Sequence, residues 1–320
     1  MSTPAVSVVI PVYNGASSVG DLVAALEGLN VPGGLEIVLV NDASPDDSLK
    51  VCRGLLARAR VPMTLVDLAR NFGEHNAVMA GLHHARGAHI VTMDDDLQNP
   101  PGEVLRLLQH AQQTGADVVY ARPIEKQHAG WRNLGSRFTN RVADFVLEKP
   151  KGLYLSSFRC ISAFAAAQAV AYEGPFPYVD GLLLQVTQRI DSLAVEHLPR
   201  AHGASNYTLR RLVRLWLAMF VNFSVMPLRL ATFAGIGLSV LGVLGAIWAA
   251  VSAIFMEETP PGWASLTVAV MLLSGVQLLI LGLLGEYLGR LYLTVNRRPQ
   301  AVVREIVRAE AQRPTAVRSA

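Results

Sequence analysis

Two stretches of this chain carry no charged residue and are long enough to cross a bilayer: ATFAGIGLSVLGVLGAIWAAVSAIF, residues 231–255, and ASLTVAVMLLSGVQLLILGLL, residues 264–284. As helices they extend about 37 Å and about 31 Å, at 1.5 Å per residue, against a hydrocarbon core of about 30 Å. Such segments must be buried in a large core or handed to lipid. The chain has 320 residues and is 51% hydrophobic, and these two stretches hold most of the excess. Between them MEETPPGW is acidic, broken by prolines and devoid of Lys and Arg, and it ends in Trp263, a residue suited to a membrane interface. Arginines crowd the outer flanks instead: Arg210, Arg211, Arg214 and Arg229 before the first stretch, and Arg290, Arg297, Arg298, Arg304 and Arg308 after the second. The positive-inside rule then puts both flanks in the cytoplasm and the short loop outside. The expected organisation is a two-helix membrane hairpin over 231–288, with residues 1–205 as a cytoplasmic domain. Residues 206–230 are interfacial amphipathic helices, and 289–320 are a cytoplasmic tail that reads as an amphipathic helix or a partly disordered segment.

The first 205 residues have a different pattern. VSVVIPVY (6–13), LEIVLVND (35–42), MTLVDLA (63–69), AHIVTMD (88–94) and DVVYA (117–121) are apolar runs of strand length, with helix-like segments near 17–29, 46–60, 74–86 and 101–114. Strands alternating with helices imply right-handed crossovers and a mostly parallel sheet covered on both faces. Ser44, Pro45 and Asp47 mark one helix start, as a cap, a first-position proline and a first-turn acid. The first strand begins by Ala5, leaving no room for a signal peptide. Cys52 and Cys160 form no spacing motif and read as packing residues of a reduced compartment. The net charge of +3 comes with arginines beside the apolar spans, which suits anionic lipid. Aromatic residues do not interleave with a basic patch, so nucleic acid is not an expected partner.

A parallel α/β domain commonly binds nucleotides, yet there is no G-x-G-x-x-G after the first strand and no G-x-x-x-x-G-K-[ST] anywhere. Phosphate must be handled in another way. HIVTMDDDLQNPP, residues 89–101, runs a buried-strand pattern into three consecutive acids and then into two prolines that suit the first turn of a helix. Adjacent carboxylates repel, so they lie on a solvated turn or around a cation. Their place at the carboxyl end of a strand, where open α/β sheets bind ligands, gives weight to the cation.

Seven segments in order, SVVIPVYN, VNDASPDDS, ARNFGEHNAVMAG, MDDDLQNPP, RPIEKQHAGWRNLGSRF, HLPRAHGASNY and GLLGEYLGRLY, together resemble the family-2 glycosyltransferases of the polyprenyl-phosphate type. These include dolichyl-phosphate mannose synthase and undecaprenyl-phosphate aminoarabinose transferase, and the second, bacterial branch looks nearer. The resemblance implies a GT-A nucleotide-sugar-binding fold with Asp94 and Asp96 as the catalytic D-x-D pair. Asp96 and Gln98 would hold Mg²⁺ or Mn²⁺ against the donor diphosphate, and Asp94 would lie near the ribose or the metal. A hard cation completed by substrate phosphates needs only two or three protein oxygens. Asp95, between them in sequence, is expected to face the other way.

The resemblance further implies nucleotide contacts from Pro11, Tyr13, Asn14, Asp42 and Arg70. It implies contacts to the acceptor lipid phosphate from Arg122, Arg132, Ser136, Arg200 and Ser205, the last two in a stretch that also matches at Gly203 and Tyr207. Arginine suits that task because its planar fork pairs with two phosphate oxygens. The implied reaction is inverting transfer of a sugar from a nucleotide-sugar, UDP-linked by resemblance, to a polyprenyl phosphate at the bacterial inner membrane. Relatives often form tetramers, so a homotetramer is the assembly that the resemblance points to.

Three positions depart from the family pattern: Gly15 where a Glu is common, Ser157 in YLSSFRC where many relatives carry an Asp, and Asn206 in place of a Lys. These departures keep in view a catalytically silent membrane-anchored partner subunit, against which the intact Asp94, Asp96 and Gln98 argue. A processive polysaccharide synthase is disfavoured, because there is no Q-x-x-R-W motif and two spans are too few for a channel. The sugar itself is not legible.

Overall fold

The structure is a computed structural model, and it describes residues 3–124, 152–198, 226–255 and 262–311. Expectations that fall on Arg132, Ser136, Arg200, Gly203, Ser205, Asn206, Tyr207 and the interfacial segment up to residue 225 lie outside these residues.

The first part alternates as the sequence predicts. Strands β1 (Val6–Val12), β2 (Leu35–Asn41), β3 (Met63–Leu68) and β4 (His89–Thr92) are separated by helices α1 (Val19–Glu27), α2 (Ser48–Leu56) and α3 (Glu74–His84). After β4 come α4 (Gly102–Thr114) and β5 (Val118–Pro123), then β6 (Arg159–Ser162), α5 (Ala163–Val170), α6 (Val179–Val186) and β7 (Ile190–Val195). With a last strand, β8 (Val303–Ala309), the strands form one eight-stranded sheet of order β7-β5-β6-β4-β1-β2-β3-β8. Its central strands β4, β1, β2 and β3 are mutually parallel, β5 and β7 are parallel to each other, and β6 and β8 run against their neighbours.

Strand alternation divides the core into two layers. Val6, Val8, Ile10 and Val12 of β1 pack with Val19, Leu22, Leu26, Cys52, Val104 and Leu107 on one face. Val9 joins Val38, Val40, Val66, Ala77, Val78, Ala165 and Leu183 on the other. Each fully buried aliphatic side chain contributes on the order of 1.5–3 kcal/mol. Both cysteines are unbridged and buried in these layers, as the sequence suggests, and burial pushes both thiols up to about 12. On the second face α3 approaches the sheet closely at Gly81, where an added Cβ would lie 2.3 Å from Val9 Cγ1 and 3.0 Å from Val40 Cγ2.

The chain's end differs from expectation. Instead of an amphipathic helix or disordered tail, β8 (Val303–Ala309) adds antiparallel to β3, from Met63 opposite Ala309 to Leu68 opposite Val303. The N–H of Ala69 donates to the carbonyl of Val302 at 2.8 Å, and Arg53 pairs with Glu305 at 2.5 Å. By contact, residues 297–320 belong with the first 207 residues, and residues 208–296 form a second unit. A second correction concerns α2, which starts at Ser48 rather than after Ser44. Ser44 is engaged elsewhere: its Oγ accepts the backbone N–H of Asn14 at 2.6 Å.

Within the second unit, α7 (Met226–Phe255) has 30 residues and α8 (Trp263–Val295) has 33. Among the described residues, Leu273–Val295 is long and apolar enough to cross a membrane, and Ala231–Gly245 is a shorter apolar stretch. Phe233, Leu241, Trp248, Leu278, Leu281 and Leu288 are all more than half exposed among the described residues. Arg290 donates to Glu286 Oε1 at 2.9 and 3.1 Å, the i,i+4 pair that the spacing predicts.

The close approach at Gly81 gives a direct test. Gly81→Leu forces α3 off the sheet and lowers stability by about 1–3 kcal/mol, the usual cost of overpacking. Thermal unfolding of purified Gly81→Leu beside wild type measures it.

Candidate active site

The carboxyl ends of β1, β2, β3 and β4 meet along one edge of the sheet, because these strands are neighbours and parallel. In such sheets the crevice at this edge is where ligands bind. Pro11 lies within β1 opposite Val40, while Tyr13 and Asn14 follow the strand. Asp42 follows β2, Arg70 follows β3, and Asp94, Asp96 and Gln98 follow β4. The fold therefore brings these sequence-predicted residues to one edge. Arg122 ends β5, two strand spacings or about 10 Å from β4, and is exposed.

Several interactions make these loops a fixed surface. Three backbone N–H groups of the β1–α1 loop donate to the β2–α2 loop: Asn14 to Ser44 Oγ at 2.6 Å, Gly15 to Ser48 Oγ at 3.0 Å and Ala16 to Asp46 Oδ2 at 3.1 Å. Asn14 has φ of 58° and Ala43 of 48°, left-handed conformations that this lacing sustains. Asp42 is buried, and its carboxylate accepts the N–H groups of Phe72 at 2.7 Å and Gly73 at 2.9 Å. Burial raises its pKa, against the pull of these two hydrogen bonds. Asp42 thus shapes the β3–α3 loop, whose Arg70 lies 4.6 Å over the Phe72 ring with its guanidinium group held in place.

The three acids after β4 each take a different partner. Asp94 Oδ2 accepts the hydroxyl of Ser157 at 2.8 Å, and Asp96 Oδ1 accepts the N–H of Gln98 at 3.1 Å. Asp95 turns toward the β1–α1 loop. Its Oδ2 is buried without a hydrogen-bond partner among the described residues, and an added Cβ on Gly15 would lie 1.9 Å from it. Burial, then the charges of Asp94 and Asp96, push Asp95 up to about 7, while a hydrogen bond from the Tyr13 backbone pulls the other way. Gly15 is therefore the space that the Asp95 carboxylate fills, and a Glu at position 15 requires that carboxylate to move.

Gln98 also ties the acidic loop to the segment after β7. Its carbonyl accepts the N–H of Leu198 at 2.8 Å, and its side-chain Nε2 donates to the Leu198 carbonyl at 3.4 Å. Nearby, Asn99 Oδ1 lies 3.4 Å from His197 Nδ1. Among the described residues no three His, Cys, Asp or Glu side chains converge into a complete metal cage. Two carboxylates and a carboxamide are instead an incomplete, hard-oxygen set that suits a divalent cation completed by water and phosphate.

Behind the acids lies a buried polar group that the sequence alone does not single out. Arg159 at the start of β6 is 2% exposed and pairs with Asp180 in the first turn of α6. His75 meets Tyr178 edge-on with ring centroids 5.0 Å apart, and burial, the larger cause, and Arg159 lower its pKa. Burial raises the phenols of Tyr120 and Tyr178. The signal for this group was an Arg inside an apolar strand pattern, FRCI.

Two measurements test this geometry. Asp180→Ala leaves Arg159 buried and uncompensated, so it lowers stability by about 3–5 kcal/mol in a denaturant titration. Gly15→Ala displaces the Asp95 carboxylate and raises the donor KM. Because the two sites share one space, adding Asp95→Ala costs less than the sum of the single changes, with a coupling of about 0.5–3 kcal/mol in a double-mutant cycle.

Comparisons with known proteins show the family. The glycosyl transferase family 2 model matches residues 7–173, from β1 to the end of α5. The chain is 35% identical to the undecaprenyl-phosphate 4-deoxy-4-formamido-L-arabinose transferase of Pseudomonas aeruginosa, over 98% of this chain and 93% of that one. It is 33% identical to the transferase of the same name from Edwardsiella ictaluri, over 95% and 94%. Among solved structures, glucosyl-3-phosphoglycerate synthase from Mycobacterium tuberculosis in complex with phosphoglyceric acid is 19% identical and covers 69% of this chain and 80% of its own, with a TM-score of 0.49. With its mostly parallel α/β sheet and the acid-rich loop at the sheet's carboxyl edge, this chain belongs to glycosyl transferase family 2.

Proposed function

We propose that this glycosyltransferase moves a sugar from a UDP-sugar to undecaprenyl phosphate, with inversion, at the cytoplasmic face of the bacterial inner membrane. The observation that carries the proposal is the extent of likeness to transferases named for undecaprenyl phosphate, which covers nearly all of both chains and hence the sheet and the long apolar helices together. The sugar named in those relatives, 4-deoxy-4-formamido-L-arabinose, is the first donor to try.

In this reading Tyr13, Asn14, Asp42 and Arg70 bind the nucleoside, with Asp42 acting through the β3–α3 loop that it anchors. Asp96 and Gln98 hold Mg²⁺ or Mn²⁺, and Asp94 faces the ribose or the metal. The cation, when bound, supplies Lewis-acid stabilisation of the leaving diphosphate. Arg122, Arg132, Ser136, Arg200 and Ser205 receive the acceptor phosphate.

The nucleophile is the lipid phosphate oxygen. With a second pKa of about 6 it is largely a dianion at pH 7, so it requires positioning rather than deprotonation. Ser157 in place of an acid is compatible with that chemistry. Asp180 is a poor base because it is buried and paired with Arg159. In this reading α7 and α8 cross the membrane twice, with their arginine-rich flanks on the cytoplasmic side, the side on which the acceptor phosphate is met.

The test uses purified protein in nanodiscs with undecaprenyl phosphate, Mn²⁺ and a panel of UDP-, GDP- and dTDP-sugars, followed by mass spectrometry of the glycolipid. One productive donor is expected, with product lost on adding EDTA and in Asp96→Ala. Donor hydrolysis without glycolipid, or no turnover with any donor, counts against the reading.

A further inference from the structure

Ser157 occupies the place at which the sequence departs from an acid, yet it is not idle in the structure. Its Oγ donates to Asp94 Oδ2 at 2.8 Å, across 63 positions of sequence. The backbone that presents this hydroxyl is fixed on every side. Thr92 Oγ1, at the end of β4, donates to the Ser157 carbonyl at 2.6 Å. The next residue, Phe158, is fully buried, and its carbonyl accepts the N–H of Ala121 in β5 at 3.0 Å. Arg159 pairs in register with both Thr92 and Tyr120 and is locked to Asp180. The serine side chain has a single heavy-atom torsion, so its hydroxyl is delivered to Asp94 with little freedom left to lose.

From this geometry we infer that Ser157 is a positioning residue, whose hydroxyl sets the orientation of the Asp94 carboxylate for the metal–diphosphate part of the donor. The inference rests on the assignment of Asp94 to the donor site. Asp94 stands next to two further acids, and Asp95 already feels both neighbours. A neutral donor steadies the Asp94 carboxylate without adding charge. A carboxylate at position 157 would instead put a fourth acid beside Asp94, with no hydroxyl to donate and a like charge that repels it. In this chain a serine therefore serves the acidic loop better than the acid that it replaces.

The experiment compares wild type with Ser157→Ala, Ser157→Thr and Ser157→Asp in full-length protein. Binding of UDP in the presence of Mn²⁺ is measured by titration calorimetry, alongside thermal unfolding and the donor KM and kcat. Ser157 is only partly buried, so Ser157→Ala leaves the unfolding temperature near wild type. It weakens Mn²⁺-dependent UDP binding roughly tenfold or more, the loss of one hydrogen bond to a charged group. Ser157→Thr keeps the hydroxyl and restores binding, and Ser157→Asp binds more weakly than Ser157→Ala. Wild-type binding by Ser157→Ala, or a binding loss matched by a lower unfolding temperature and not restored by Thr, overturns the inference. Binding of UDP and Mn²⁺ does not involve lipid. A wild-type protein that binds them but leaves undecaprenyl phosphate unmodified therefore counts against the proposed acceptor, while the Ser157 comparison is still decided. A wild type that binds no UDP with Mn²⁺ overturns the inference too.

Discussion

Three carboxylates in succession repel one another, and a loop that carries them keeps its shape only if each is given a separate direction and a separate partner. Here Asp94 is met by Ser157 from the segment that leads into the antiparallel strand β6, Asp95 turns against the backbone of the β1–α1 loop, and Asp96 is held by the backbone of its own turn. The partners come from segments far apart in sequence, so the loop's geometry depends on the register of β4 with β1 and with β6. Much of the neighbouring structure serves that register. The Arg159–Asp180 pair fixes β6, the lacing among Asn14, Gly15, Ser44 and Ser48 fixes the β1–α1 loop, and Asp42 fixes the loop that carries Arg70. The crowding of charge is therefore the feature hardest to accommodate in the fold, and it is accommodated by partners from three separate segments.

How much of this was legible depended on whether the deciding partner was near in sequence. The first four strands and helices could be read because central parallel strands are apolar on both faces and their helices follow at once. The acid-rich loop was legible for the same reason, as a strand that ends in charge. Strand β6 was not, because it has four residues and begins with an arginine whose burial depends on Asp180, 21 positions later. Strand β7, IDSLAV, mixes polar and apolar residues as a partly exposed strand does. Strand β8, VREIVRA, looks like a charged tail until β3 is set beside it. Ser44 had every local mark of a helix cap, and the competing interaction that claimed it came from Asn14, 30 positions away.

The same limit applies to the departures from the family pattern. In sequence alone, Gly15 and Ser157 look like losses. In the structure each is matched to one of the acids: Gly15 makes room for Asp95, and Ser157 donates to Asp94. Neither match has a local signature, since both join loops separated by at least one complete βα unit. Substitutions around the acidic loop are therefore better judged in pairs than singly.

Strand β8 has one further consequence, of parity. Residues at the two ends of the chain, Thr64 and Arg308 for example, are paired in one sheet, so they lie in the same compartment. Whatever the polypeptide does between β7 and β8, it must return to the side from which it left. If any part of that segment crosses a bilayer, the number of crossings is even.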